Sequence, residues 1–327
     1  MNIKRNINPK EICDQIKKGN ITALSKAITL SESNIDSDQE LANKILANLK
    51  TKNNDSIRIG ITGVPGAGKS TFIESFGNHI TNLGLKLAVL TIDPSSSVTK
   101  GSILGDKTRM ETLSANKNVF IRPSPASNFQ GGVGKNTRES IFLCESAGYD
   151  IILIETVGVG QNEISVAEMV DFFLLLKISG SGDELQGIKR GIIEMSDLIA
   201  INKCDGDNVK DSIKAKNEFK LALQLFPKKK SNWKPQVLTC SSLTGEGLAE
   251  IWECITNYVN LTKKNNYFYE NRINQNKSWL LQIIDYSLRK SFFNRKSIKI
   301  KLNNLIKKIE EQKISIFEAS RKILSEI

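Results

Sequence analysis

The stretch Gly63-Val64-Pro65-Gly66-Ala67-Gly68-Lys69-Ser70 constrains this chain more than any other, because it fits the pattern G-x-x-x-x-G-K-[S/T] in full. Residues 57–62 before it read as a buried strand, and from Thr71 to Leu83 the apolar spacing is helical. Strand, glycine-rich loop and helix in that order open a βα unit, the setting in which such a loop wraps phosphates. Its glycines let successive N–H groups and the helix N-terminus point at the α- and β-phosphates of a nucleotide. Lys69 reaches the β- and γ-phosphates, and Ser70 offers a hydroxyl to Mg²⁺. Gly63, Val64, Pro65, Gly66, Ala67, Gly68, Lys69, Ser70 and Thr71 are therefore the expected phosphate-binding residues.

Further β-type runs lie at residues 85–92, 119–121, 151–154, 172–178, 198–201 and 236–240, several with helical patterns between them. Such alternation predicts an α/β fold with a doubly wound, mostly parallel sheet of P-loop type. Residues 9–50 carry helical periodicity, with breaks expected at Gly19-Asn20 and over residues 31–37. After Gly247 the chain has no further Pro or Gly, so its last 80 or so residues should be long helices. The organisation expected is a helical N-terminal arm (1–50), a nucleotide domain (51–260) and a basic helical C-terminal arm (261–327).

Two carboxylates directly follow predicted strands, Asp93 and Glu155. In an open α/β sheet such positions face the ligand crevice, so both are candidates to hold Mg²⁺ directly or through water. The glycines of Gly158-Val159-Gly160-Gln161 would let a backbone N–H approach the γ-phosphate and withdraw when it is lost. Asn202-Lys203-Cys204-Asp205 follows a later strand, where the Asp205 carboxylate can accept two hydrogen bonds, from the N1–H and the exocyclic amine of guanine. Adenine supplies no such pair. Ser241, Ser242 and Leu243 follow the last strand, in a loop suited to bring a backbone N–H to the guanine O6. GTP and GDP are thus expected in preference to ATP.

Other chemistries are excluded by composition. His79 is the single histidine, and five scattered cysteines form no C-x-x-C pair, so neither a multi-histidine metal centre nor a disulfide framework is expected. These features also argue against a nickel-type metallochaperone, and four methionines cannot furnish a Met-rich signal-sequence domain. No apolar run approaches the roughly 20 residues of a membrane helix, and no secretory leader is visible, so a cytoplasmic protein without a membrane partner is expected. The formal net charge is +11; residues 263–327 hold 15 Lys/Arg against 6 Asp/Glu, which is +9, leaving +2 for the rest. In that tail the lysines alternate with apolar residues at helical spacing, as a solvated face would, and no nucleic-acid motif accompanies them. Nucleic acid is therefore not the expected partner. The alternative reading, a P-loop NTPase acting as a nucleic-acid-associated or transport-linked regulator, rests on the tail alone.

With these motifs the sequence resembles the MeaB/ArgK family of P-loop GTPases, chaperones of cobalamin-dependent acyl-CoA mutases. The resemblance is carried by residues 63–70, by Asp93-Pro94-Ser95-Ser96 and by Gly101-Ser102-Ile103-Leu104-Gly105-Asp106-Lys107-Thr108-Arg109-Met110. It continues in Arg122-Pro123-Ser124-Pro125, Glu155-Thr156-Val157-Gly158-Val159-Gly160-Gln161 and Gly182-Asp183-Glu184-Leu185-Gln186-Gly187-Ile188-Lys189-Arg190-Gly191. It implies a homodimer with helical arms, GTP hydrolysis stimulated by the mutase, and gating of adenosylcobalamin delivery and of the removal of inactivated cofactor. By position, it implies Asp93, Asp106 and Glu155 as the Mg²⁺-side carboxylates and residues 179–189 as the segment that responds to the mutase. It also implies Lys189 as a source of positive charge in the transition state. Ser179 and Ser181 stand where family members often have Pro and Ala, and Gly134 where they often have Ala.

Overall fold

The apolar runs fill both faces of one sheet. A computed structural model describes residues 8–49, 55–93, 110–125, 132–156, 162–180 and 190–326. Its strands are β1 (Ile57–Gly63), β2 (Leu87–Asp93), β3 (Val119–Pro125), β4 (Ile151–Glu155), β5 (Phe172–Ile178), β6 (Leu198–Asn202) and β7 (Gln236–Thr239). They pair in parallel in the order β3-β2-β4-β1-β5-β6-β7, the doubly wound α/β arrangement expected. The helices are α1 (Pro9–Lys17), α2 (Ile21–Glu32), α3 (Asp36–Asn48), α4 (Lys69–Asn82), α5 (Glu111–Ser114), α6 (Gly132–Ser146) and α7 (Asn162–Ala167). They continue with α8 (Arg190–Met195), α9 (Val209–Leu223), α10 (Leu248–Lys264), α11 (Tyr267–Asn294), α12 (Lys296–Glu310) and α13 (Ile316–Leu324). No described helix is long and apolar enough to cross a membrane.

Strand residues alternate between the two covered faces of the sheet, which is why the runs read as continuously apolar. Ile59, Ile61, Val89, Leu153, Phe172 and Leu174 pack against Phe72 and Phe76 of α4 and Ile251 and Ile255 of α10. Ala88, Leu90, Ile152, Ile154 and Phe173 face the other way, onto Ile141 and Cys144 of α6 and onto the N-terminal helices through Ile16, Leu24, Ile28 and Ile45. Helices α1 to α3 are thus a layer over the sheet. The break between α1 and α2 falls where expected, with Gly19 at φ +78° and the Asn20 side chain accepting from the Ala23 N–H at 2.9 Å. Glu32 at the end of α2 is joined to strand β3, accepting from Arg122 Nη2 at 2.5 Å and from the Ser124 hydroxyl at 2.7 Å.

By its contacts the chain divides into two units, one up to Gln275 and one from Asn276. Within the first, the start of α11 is held by a buried ion cluster at the N-terminal ends of β1 and β5. Arg272 donates to Asp171 from Nε at 2.8 Å and Nη2 at 2.6 Å, and its guanidinium lies 4.4 Å from the Phe268 ring centre. Asp171 also accepts from the Arg58 N–H, while Glu145 accepts from Arg58 Nε at 2.7 Å and the Ser56 hydroxyl at 2.9 Å. In the second unit Ile298, Leu305, Ala319 and Ile323 pack together while Lys296, Lys299, Lys307 and Lys308 are exposed, the solvated basic face anticipated for the tail.

Removing one member of a buried charge cluster strands the others, at a cost of about 3–5 kcal/mol. Arg272→Ala should therefore lower the urea midpoint by that amount of stability. Because the cluster lies at the strand edge opposite the phosphate loop, affinity for nucleotide should hold at denaturant concentrations where the variant is still folded.

Candidate nucleotide site

The loop between β1 and α4 is shaped by close approaches that allow no side chain. A Cβ on Gly63 would stand 2.4 Å from the Leu176 carbonyl oxygen of β5. Gly68, at φ +84°, would bring one within 2.9 Å of Asn202 Nδ2. Ala67, fully buried, donates its N–H to the Val64 carbonyl at 3.1 Å. The Lys69 ammonium donates to the carbonyl oxygens of Gly63 at 2.8 Å and Val64 at 3.4 Å, so it is held across the mouth of the loop. Burial pulls its pKa below the usual lysine range, and the charges of Glu155 and Glu163 act in the opposite direction. Pro65, Gly66 and Thr71 are exposed at the rim, and Ser70 is half-buried in the first turn of α4.

The strand register places the carboxylate positions around this loop. Glu155 ends β4 beside Ile61 of β1 and Thr91 of β2, and Asp93 ends β2 two residues further on. Beyond Glu155 the Thr156 hydroxyl donates to Thr62 Oγ1 at 2.8 Å, closing the crevice floor between β4 and β1. Asp106, the Gly158 to Gln161 segment and residues 181–189, which include Lys189, lie outside the described residues. Among the described residues no group of three or more His, Cys, Asp or Glu side chains could hold a metal ion.

The residues expected to read the base lie on two loops at the ends of β6 and β7. The Asp205 carboxylate accepts from the Ser241 hydroxyl through Oδ2 at 2.5 Å, and among the described residues its Oδ1 takes no hydrogen bond. Ser241 is in turn fixed by accepting from the N–H of Leu243 at 3.3 Å and of Thr244 at 3.1 Å. Asn202 is 1% exposed and its carboxamide is spent on protein. Its Nδ2 donates to the Ala67 carbonyl at 2.9 Å, and its Oδ1 accepts from the Ser242 N–H at 3.1 Å and hydroxyl at 2.8 Å. Asn202, Ser241 and Ser242, expected from sequence to contact the nucleotide, are thus turned inward, and the N–H groups of residues 241–244 already have protein acceptors. Leu243 is exposed at the loop tip. Lys203, at φ +60°, carries its stem back to the phosphate loop, where its Cε lies 3.9 Å from the place a Cβ on Gly68 would occupy.

Three partners had no signal in sequence periodicity. The Ser75 hydroxyl of α4 donates to the Ser242 carbonyl at 2.5 Å, a second tie between phosphate helix and base loop. Asn208 accepts from the Ser179 hydroxyl at 2.7 Å and donates to the Lys203 carbonyl at 2.7 Å, joining the end of β5 to the base loop. Glu163 of α7 is the third. Only folding brings any of them to the site, since each lies far along the chain from at least one partner.

Comparison with known proteins agrees with this fold. The family model described as methylmalonyl Co-A mutase-associated GTPase MeaB matches residues 24–297. GTPase ArgK of Escherichia coli is 46% identical over 266 residues, 81% of this chain and 80% of that protein. The mitochondrial methylmalonic aciduria type A homolog of Mus musculus is 43% identical over 302 residues, 89% of this chain and 73% of that protein. Among solved structures, a LAO/AO transport system kinase superposes with a TM-score of 0.75 at 34% identity, over 98% of each chain.

Asp205 is the residue expected to prefer guanine. Asp205→Asn replaces one acceptor with a donor, which should cost GDP affinity about 1.5–3 kcal/mol and bring xanthosine diphosphate level with or ahead of it. Competition of GDP, xanthosine diphosphate and ADP against a fluorescent guanine nucleotide measures this, and an unchanged ranking would remove Asp205 from the base site.

Proposed function

This chain belongs to the MeaB family of methylmalonyl Co-A mutase-associated GTPases, and we propose that it is a chaperone of a cobalamin-dependent acyl-CoA mutase. In this reading, GTP hydrolysis at residues 63–70 gates the delivery of adenosylcobalamin and protects or reactivates the mutase. The observation that carries the hydrolytic site is the Lys69 ammonium, held on Gly63 and Val64 in a loop tied by Asn202 to the guanine-reading residues.

In the proposed mechanism the loop N–H groups hold the α- and β-phosphates while Lys69 offsets charge on the β- and γ-phosphates. Asp205 fixes the base, with Ser241 holding its carboxylate in place. The oxygen donors at the crevice suit a hard divalent cation: the Ser70 hydroxyl, with Glu155, Asp93 and Asp106 as the carboxylate side. Mg²⁺, when bound there, would neutralise charge as the γ-phosphoryl group leaves. The contact of Ser179 with Asn208 supports a role for residues 179–189 in coupling, because it links the start of that segment to the base loop. Lys189 is proposed to enter the site when the mutase orders the segment, supplying charge to the transition state.

A homodimer is part of the same proposal. Leu281, Ile284 and Leu288 on α11 are exposed at helical spacing, an apolar stripe that a second copy would cover. A cytoplasmic location is proposed along with it.

Two variants test the reading. Lys69→Ala should lose roughly 3–4 kcal/mol of transition-state stabilisation in GTP turnover, and wild-type turnover would exclude the loop as the hydrolytic site. Lys189→Ala should lose the increment in turnover that the mutase brings, with GDP affinity within about threefold of wild type. Stimulation equal to that of the wild type would remove Lys189 from the coupling.

A further inference from the structure

Glu163 is a buried carboxylate that the mechanism above leaves without work. Helix α7 follows β4 and returns the chain to β5, so in this parallel sheet it runs against the strands and begins at their C-terminal edge. Val166 marks where it lies, since a Cβ on Gly60 of β1 would stand 3.0 Å from Val166 Cγ1. Glu163 comes three residues earlier on the same helix face, about 4.5 Å nearer that edge. At roughly 3.3 Å per strand residue, this brings its backbone level with Ile61 and Thr62, and a side chain tilted toward the helix N-terminus extends from there toward the end of β1. There Lys69 Nζ hangs on the Gly63 and Val64 carbonyls.

The Glu163 side chain is 3% exposed, and among the described residues its Oε2 has no hydrogen-bond partner. Its charge acts on the Lys69 ammonium, as that of Glu155 does. A buried carboxylate oxygen left open is costly, so a donor belongs at this place in the working complex. The phosphates of GTP bring only acceptors, whereas a water molecule beside the terminal phosphate brings donors.

We infer that Glu163 is a further catalytic residue of the GTPase reaction: its Oε2 accepts a hydrogen bond from the water that attacks the terminal phosphate and so aims the water's oxygen at phosphorus. In that step the water oxygen bonds to the γ-phosphorus as the bond from this phosphorus to the β,γ-bridging oxygen breaks, leaving its electron pair on GDP. Both water protons depart on the phosphate product, and Glu163 ends the cycle in the charge state in which it began. Phosphoryl transfer through a loose transition state asks for position more than for a strong base, which suits a carboxylate held by a helix. The inference rests on hydrolysis taking place at residues 63–70.

The test is single-turnover hydrolysis by Glu163→Ala and Glu163→Gln beside Lys69→Ala, with affinities for GDP and a non-hydrolysable GTP analogue taken by fluorescence titration. Glu163→Ala should be slower by about 100-fold or more and Glu163→Gln, which keeps an acceptor oxygen, by about 10-fold. Both affinities should stay within roughly threefold of wild type, a split that a merely structural role would not produce. Wild-type chemistry in either variant, or affinity falling in step with rate, overturns the inference. Where the alanine variant does not fold, the glutamine variant decides by the same criteria. Wild-type hydrolysis in Lys69→Ala would instead remove the phosphate-loop reading, while loss there beside wild-type chemistry in both Glu163 variants removes only the role of Glu163.

Discussion

The carboxamide of Asn202 is the joint on which the nucleotide site depends. It is buried at the end of β6, where it offers one donor to Ala67 in the phosphate loop and one acceptor to the N–H and hydroxyl of Ser242. A carboxamide is a neutral side chain that presents donor and acceptor at fixed geometry from one group, so a single residue can join two loops in a buried place. An aspartate there would set a carboxylate oxygen against the Ala67 carbonyl, and a leucine would leave three polar groups unpaired. Through this joint the distance between phosphate site and base site is fixed before any ligand arrives, which is the condition for reading both ends of one molecule at once.

The two edges of the sheet then divide the work. At the C-terminal edge β1, β2, β4 and β6 end in Gly63, Asp93, Glu155 and Asn202, the positions that surround the phosphate loop. At the N-terminal edge Ser56 and Asp171, just ahead of β1 and β5, join Arg58, Glu145 and Arg272 in the ion cluster that holds the start of α11. Charge is buried at both edges for different reasons. The cluster around Arg272 is closed, each carboxylate having donors, so it holds structure; Glu163 keeps an oxygen open and lies at the edge where a nucleotide and its water would arrive.

Much of the fold was legible because its signals are local. Apolar runs mark strands buried on both faces, and the glycine-lysine-serine loop between strand and helix specifies how the first βα unit turns. The place of Asp205 after β6 was legible for the same reason, since its spacing from the strand end is a property of neighbouring residues. The N-terminal helices were legible as helices, from Ile12, Ile16, Leu24, Ile28 and Ile45, but not as the layer that covers Ile152 and Phe173, because amphipathic spacing says that a face is buried and not against what.

The sequence by itself determined the α/β architecture and the phosphate loop and singled out Asp205 as the candidate to read guanine, each from contiguous residues whose types and spacing have few physical solutions. Only the tertiary structure decided that Asn202 and Ser242 face inward, that Ser241 holds Asp205, that Ser75 and Asn208 tie the loops, and that the charge of Glu163 acts on Lys69. These are pairings between groups far apart along the chain, such as the 135 positions from Ala67 to Asn202. Which donor meets which acceptor across such a separation depends on strand order and helix direction, and neither is a property of any single segment.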